Sequence, residues 1–170
     1  MKNLLLLLGL LLTLGSCTDN QYFELAPDIY ILDKEDPIES FEELTESLKG
    51  KPIYLDRWAT WCSPCIAEFE RSKVLHDFLK ANKIEIVYLN SDNDIEEDEW
   101  FDFIVDHNLL GYHVRLDSVL KADLIEMEIF IPRIPQYMIV GRDGTIITNN
   151  ALRPSSGEEL NNQLKEVLNL

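Results

Sequence analysis

The chain has 170 residues, 46% of them hydrophobic, which is enough for one domain around a real core and little beyond it. Its formal net charge of −16 excludes a nucleic-acid binder, which needs clustered Lys and Arg to neutralise phosphates. That acidic surplus serves solubility and names no partner, and the three cysteines divide into a close pair, Cys62 and Cys65, and a lone Cys17.

Met1-Lys2-Asn3 supplies a short positive start, and Leu4 to Leu14 is apolar apart from Gly9 and Thr13. A run of about 11 residues is too short for a membrane-spanning helix, which needs about 20, and suits a secretory signal peptide over residues 1–16. Leu14-Gly15-Ser16-Cys17 resembles the lipobox of bacterial lipoproteins, in which the cysteine becomes the acylated first residue of the mature chain. The resemblance implies lipidation at Cys17, a tether over residues 17–26 and a folded domain over 27–170. The alternative is a plain signal peptide cleaved near Ser16, with an incidental cysteine.

Beyond the leader, Ile29 to Leu32 reads as a short edge-like strand, and Glu39 to Leu48 as a helix with Phe41, Leu44 and Leu48 on one face. Gly50-Lys51-Pro52 ends that helix. Ile53 to Ala59 predicts a buried strand. A helix then opens near Cys62 and runs to about Ala81, with Ile66, Phe69, Val74, Phe78 and Leu79 as its apolar stripe. Ile84 to Leu89 is a second central strand. Asp94 is expected to cap a helix that turns Trp100, Phe101, Ile104 and Val105 inward. The acidic run Glu96-Glu97-Asp98-Glu99 suits the positive end of that helix better than it suits a cation site. Ser118 to Glu126 predicts a further helix. Tyr137–Val140 and Thr145–Thr148 predict a hairpin around Gly141-Arg142-Asp143-Gly144, and a last helix spans about Gly157 to Leu168. This order excludes an all-β sandwich and predicts an α/β fold, a central mixed β-sheet flanked by helices on both faces.

Cys62-Ser63-Pro64-Cys65 carries the chemistry. Two cysteines separated by two residues at a helix start can close a small disulfide ring. Cys62 stands where unsatisfied backbone N–H groups stabilise an anion, so its pKa falls and its thiolate attacks. Cys65, one turn deeper, resolves the mixed disulfide. Pro64 fits the first helical turn, where its missing N–H costs no helical bond, and Ser63 adds little bulk around the reactive sulfur. A zinc half-site competes, but zinc takes about four ligands, and neither a second cysteine pair nor a ligand spacing among His76, His107 and His113 supplies them, so no metal or other cofactor is expected. An inert structural bridge also competes, although so short a loop constrains the unfolded chain little.

The segment from Tyr54 to Glu68, Tyr-Leu-Asp-Arg-Trp-Ala-Thr-Trp-Cys-Ser-Pro-Cys-Ile-Ala-Glu, resembles the active-site segment of thioredoxin-like proteins. It is most similar to the exported TlpA/ResA branch of thiol–disulfide oxidoreductases. Ile134-Pro135-Gln136, running into a strand and an Asp-Gly turn, resembles that branch's isoleucine–cis-proline step, and Arg153-Pro154-Ser155-Ser156 is similar as well. The resemblance implies a thioredoxin fold in which Cys62 is the nucleophile and Cys65 the resolving thiol. It implies that Pro135 is cis and faces the disulfide, that the backbone of Ile134 pairs with an incoming peptide, and that Gln136 touches substrate. It makes Trp61 an apolar apron beside the sulfurs, with core packing as the alternative, and Asp56 a buried acid that accepts a proton from the deeper thiol. The partners implied are disulfide-containing or dithiol proteins of the bacterial cell envelope, fed by a membrane electron donor, with the chain lipid-anchored and facing the periplasm or the surface. Members of the branch are usually reductants; the residues themselves leave the direction open.

Four departures stand out from the family pattern, one of them Gln136 in place of a common threonine after the cis-proline. Arg57 replaces a large apolar residue and could pair with Asp56 or reach the surface. Tyr88 replaces a lysine near the acid, and Glu70 replaces a helix-kinking proline, which predicts a straighter active-site helix. A peroxidase on the same fold, or a binding lipoprotein with a vestigial redox pair, are the competing functions.

Overall fold

Ile53-Tyr54-Leu55-Asp56-Arg57-Trp58 contains neither glycine nor proline, and every one of its side chains is buried, as a strand at the centre of a covered sheet requires. The computed structural model describes residues 23–93 and 95–170, so the leader, Cys17 and the expected cap at Asp94 lie outside the described residues. Seven strands make one sheet: β1 (Phe23–Ala26), β2 (Ile29–Ile31), β3 (Ile53–Trp58), β4 (Glu85–Asn90), β5 (Gly111–Arg115), β6 (Gln136–Val140) and β7 (Ile146–Thr148). Their spatial order is β1-β2-β5-β4-β3-β6-β7. Strands β2, β5, β4 and β3 run parallel, while β1, β6 and β7 are antiparallel to their neighbours.

Alternation along the strands sorts the core into two layers. Tyr54 and Trp58 of β3, Ile86 and Tyr88 of β4, and Tyr137 and Ile139 of β6 face one layer. It is closed by α2 (Ser63–Phe69), α3 (Ser72–Ala81), α4 (Glu97–Asp106) and α6 (Glu158–Leu168). Ile53, Leu55, Val87, Leu89, Met138 and Val140 face the other, closed by α1 (Phe41–Glu46) and α5 (Ser118–Glu126). The expected mixed sheet with helices on both faces is therefore what forms.

Three elements differ from expectation. Strand β5 was not foreseen, because Gly111 and His113 interrupt its apolar run. Gly111 is nonetheless required there: its φ is +132°, and a Cβ at that position would stand 2.5 Å from Ile86 Cγ2. The active-site helix is broken into α2 and α3 even though no proline is present at residue 70. At the break Arg71 N–H donates to Glu68 O, the tighter three-residue turn, while the Glu68 carboxylate is held by Ser155 in the turn at Pro154–Ser156. The straighter helix expected from Glu70 therefore does not form, and the break falls beside the anchored Glu68. Strand β1 also takes in Phe23–Ala26, the end of the stretch read as a tether.

The loop after β3 is tied to the loop after β4. Thr60 donates its N–H and its hydroxyl to Asp92, each at 2.9 Å, and Asn90 Nδ2 donates to the same carboxylate at 2.7 Å. Asp92 is buried, so Asp92→Ala strands three donors in a dry setting. It should lower unfolding stability by about 3 kcal/mol, read from urea denaturation.

Candidate active site

Chain direction sets where the chemistry lies. Strand β3 ends at Trp58, and the Thr60–Asp92 tie then turns the chain so that Cys62 caps α2. Cys62 and Cys65 are joined in a disulfide with an S–S distance of 2.03 Å and a Cα–Cα distance of 5.3 Å. Cys65 N–H donates to Cys62 Sγ at 3.3 Å, so the outer sulfur already has a backbone donor aimed at it. Cys62 is only 3% exposed, whereas Trp61, Ser63 and Pro64 stand in solvent around it. The Ile134–Pro135 peptide bond is cis. Gln136 pairs with Arg57 across β6 and β3, which sets Pro135 at the same edge of the sheet where β3 delivers the cysteines. Ile134 packs against the core layer that contains Cys62 and Cys65.

Asp56 lies on that same layer of β3, 2% exposed, between its register partners Tyr88 on β4 and Tyr137 on β6. Its Oδ1 has no hydrogen-bond partner. Burial pushes the Asp56 carboxyl well above the usual carboxylate range, and the charge of Glu68 pushes it further. Glu68 is itself buried, accepting from Ser155 N–H at 2.7 Å and Ser155 Oγ at 2.9 Å, with Arg153 Nη1 at 3.5 Å. Tyr88 donates to or accepts from His76 Nε2 at 2.9 Å and stacks on His113 with ring centres 4.9 Å apart. No cation touches Asp56 among the described residues. Nor is any group of three or more His, Cys, Asp or Glu placed there to hold a metal.

Residues 50–146 match the model of the thioredoxin-like family. The chain belongs to that family. Among its relatives, the thiol–disulfide oxidoreductase ResA of Bacillus thuringiensis subsp. konkukian is 28% identical over 163 residues, covering 94% of this chain and 86% of the relative. A solution structure from Bacteroides vulgatus, described as a thiol–disulfide oxidoreductase, is 32% identical, with a TM-score of 0.57 over 72% of this chain and 79% of the other. A crystal structure of the same description from the same organism is 29% identical, with a TM-score of 0.57 over 71% of this chain and 80% of that one. The paired cysteines on this fold make the thioredoxin-like chain a protein thiol–disulfide oxidoreductase.

Three expectations for individual residues change on the structure. The Gln136 side chain turns away from the cysteine layer. It is 4% exposed and points to the opposite core layer, where its Nε2 donates to Ile129 O at 2.8 Å and its Oε1 accepts from Arg57 Nε at 3.0 Å. Arg57 neither pairs with Asp56 nor reaches the surface, because adjacent residues of a strand point to opposite faces. Trp61 is 68% exposed, which removes core packing as its role. The sequence reading also passed over Glu68. The signal available was an acid three residues after Cys65, on the same helical face and beside the buried Phe69.

An acid with a raised folded-state pKa keeps a proton in the fold that the unfolded chain releases. Its contribution to stability therefore falls as pH rises from about 4 towards the folded-state value. His76 and His113, lowered by burial to about 4 and about 3, act in the opposite sense, adding stability as pH rises from those values to about 6.5. Comparison of Asp56→Asn with the parent isolates the acid. The variant should gain on the parent across the range above the ordinary carboxylate pKa of about 4, by up to about 1.4 kcal/mol per unit, in urea titrations of the oxidised protein. A constant difference across that range would mean that Asp56 is ionised in the fold throughout.

Proposed function

We propose that this oxidoreductase acts outside the cytoplasm as a lipid-anchored reductant of disulfides in other envelope proteins. The observation that carries the reading is the Cys62–Cys65 bridge, set where β3 ends and β6 begins, with the cis Ile134–Pro135 step and the exposed Trp61 at the same end of the sheet. The apolar run Leu4–Leu14 and the Leu14-Gly15-Ser16-Cys17 sequence support export and acylation. In the reduced state Cys62 is the attacking thiolate, stabilised by the Cys65 N–H that donates to its sulfur. It attacks one sulfur of the partner's disulfide, and the partner's other sulfur leaves as a thiolate. Cys65 then gives its proton to Asp56 and attacks Cys62 Sγ, closing the bridge and releasing the second partner thiolate. The partner gains two electrons, the enzyme loses them, and a donor at the membrane resupplies them.

Two chemical details favour these roles. Asp56, with no cation beside it, has the elevated pKa that a base for a buried thiol needs. The backbone of Ile134 is offered to an incoming strand, and Pro135 has no N–H to compete.

Cys62→Ser should abolish reduction of insulin disulfides. Cys65→Ala should instead accumulate mixed disulfides, visible on non-reducing gels and identifiable by mass spectrometry. Residual turnover by Cys62→Ser would overturn the assignment of the nucleophile. Cys17→Ser should move the protein from the membrane fraction to the soluble one and end incorporation of labelled palmitate.

A further inference from the structure

Residues 127–135 return the chain from the end of α5 to the start of β6 with no helix or strand of their own. A strap of this kind has backbone groups that no ladder satisfies, and buried ones need partners. Arg57 and Gln136, cross-strand neighbours on β3 and β6, supply them from beneath. Gln136 Nε2 donates to Ile129 O at 2.8 Å and to Asn149 O at 3.3 Å, and Gln136 Oε1 accepts from Ile131 N–H at 3.3 Å. Arg57 Nη2 donates to Ile131 O and, at 3.0 Å, to Arg133 O, while its Nε holds the Gln136 amide oxygen at 3.0 Å. The Phe130 ring lies against the guanidinium with 4.3 Å between Cζ and the ring centre. Two buried side chains thus hold backbone atoms at residues 129, 131 and 133, the last of them next to Ile134.

A guanidinium buried with no carboxylate is costly. An apolar side chain at 57 would avoid that cost and still fill the space, but it would leave the carbonyls of the strap without donors. Arginine also suits the task geometrically. Its planar fork reaches two carbonyls and an amide at fixed angles, which the single point charge of lysine cannot do.

We propose that Arg57 and Gln136 form a buried clip that positions the Ile134–Pro135 wall, and that this positioning sets the enzyme's preference for protein disulfides over small ones. The inference rests on the reading that Ile134 receives the partner's backbone. A protein segment must pair along the wall before its sulfur meets Cys62. A small aromatic disulfide needs only access to the sulfur. Displacing the wall therefore penalises the first substrate more than the second. Arg57 and Gln136 are positioning residues, since neither touches the sulfurs.

The test compares the full-length protein, Arg57→Met and Arg57→Lys. Each is reduced, freed of reductant and mixed with insulin or with dithiobis(nitrobenzoate) in single-turnover reactions. The ratio of the insulin rate constant to the small-disulfide rate constant should fall about tenfold in Arg57→Met and about threefold in Arg57→Lys. Amide hydrogen exchange across residues 129–135 should quicken in both variants. A ratio within about twofold of the parent's overturns the specificity role, whether both rates fall together or neither falls. Unchanged exchange overturns the clip. If Arg57→Met does not fold, the same two measurements on Arg57→Lys decide. A parent protein that reduces the small disulfide but not insulin would count against the functional reading itself, and the exchange measurement would still judge the clip.

Discussion

Successive side chains of a strand point to opposite faces, and in β3 that constraint falls on two ionisable residues in a row. Asp56 and Arg57 are neighbours in sequence, both buried, and separated by the thickness of the sheet. They cannot neutralise each other. Each must be accommodated within its own layer, and the two layers do so by different physics. On the cysteine side desolvation and the nearby Glu68 charge both disfavour the acid's anion, which makes that carboxylate a stronger base than an exposed one. On the other side the guanidinium, its pKa lowered by burial to about 10, remains a cation at neutral pH and spends its donors on carbonyls and the Gln136 amide. Among the described residues Asp56 is thereby left without a cation beside it, and the other layer holds the strap that leads to the cis-proline.

The rest of the site is arranged around the edge where β3 ends. Thr60 and Asp92 lock the loop that delivers Cys62, and Glu68 ties α2 to the turn at Pro154–Ser156. Such contacts between distant segments fix the geometry of a loop-borne site more firmly than local propensity can. Tyr54 adds another, donating to Leu152 O at 2.8 Å while its ring stacks on Tyr137. The Glu68 anchor, a buried carboxylate with three donors, also stands where the active-site helix breaks without proline.

Much of this was legible in the residues. The buried run of β3, the hairpin flanks and helix α5 follow from patterning, and Ser118–Glu126 has the limits expected of it. The Cys62–Cys65 pair and the Ile134–Pro135 step are local signals tied to particular chemistry, so they could be read directly. What escaped were features set by partners far along the chain. Gln136 looked substrate-facing because it follows the proline, yet strand parity turns it inward towards Arg57. The helix break could not be read from Glu70, since the contact beside it joins Glu68 to Ser155, far along the chain. Strand β5 was hidden by its glycine, whose role shows only in the close approach of Ile86.

The distribution of indoles gives the molecule an optical property of its own. Trp58 and Trp100 are sealed in the core, whereas Trp61 stands in water one residue from Cys62. Its indole is the one that solvent reaches, next in the chain to the outer sulfur. The residue that borders the reactive bridge therefore differs optically from the other two: a quencher carried in solvent reaches Trp61 but neither Trp58 nor Trp100.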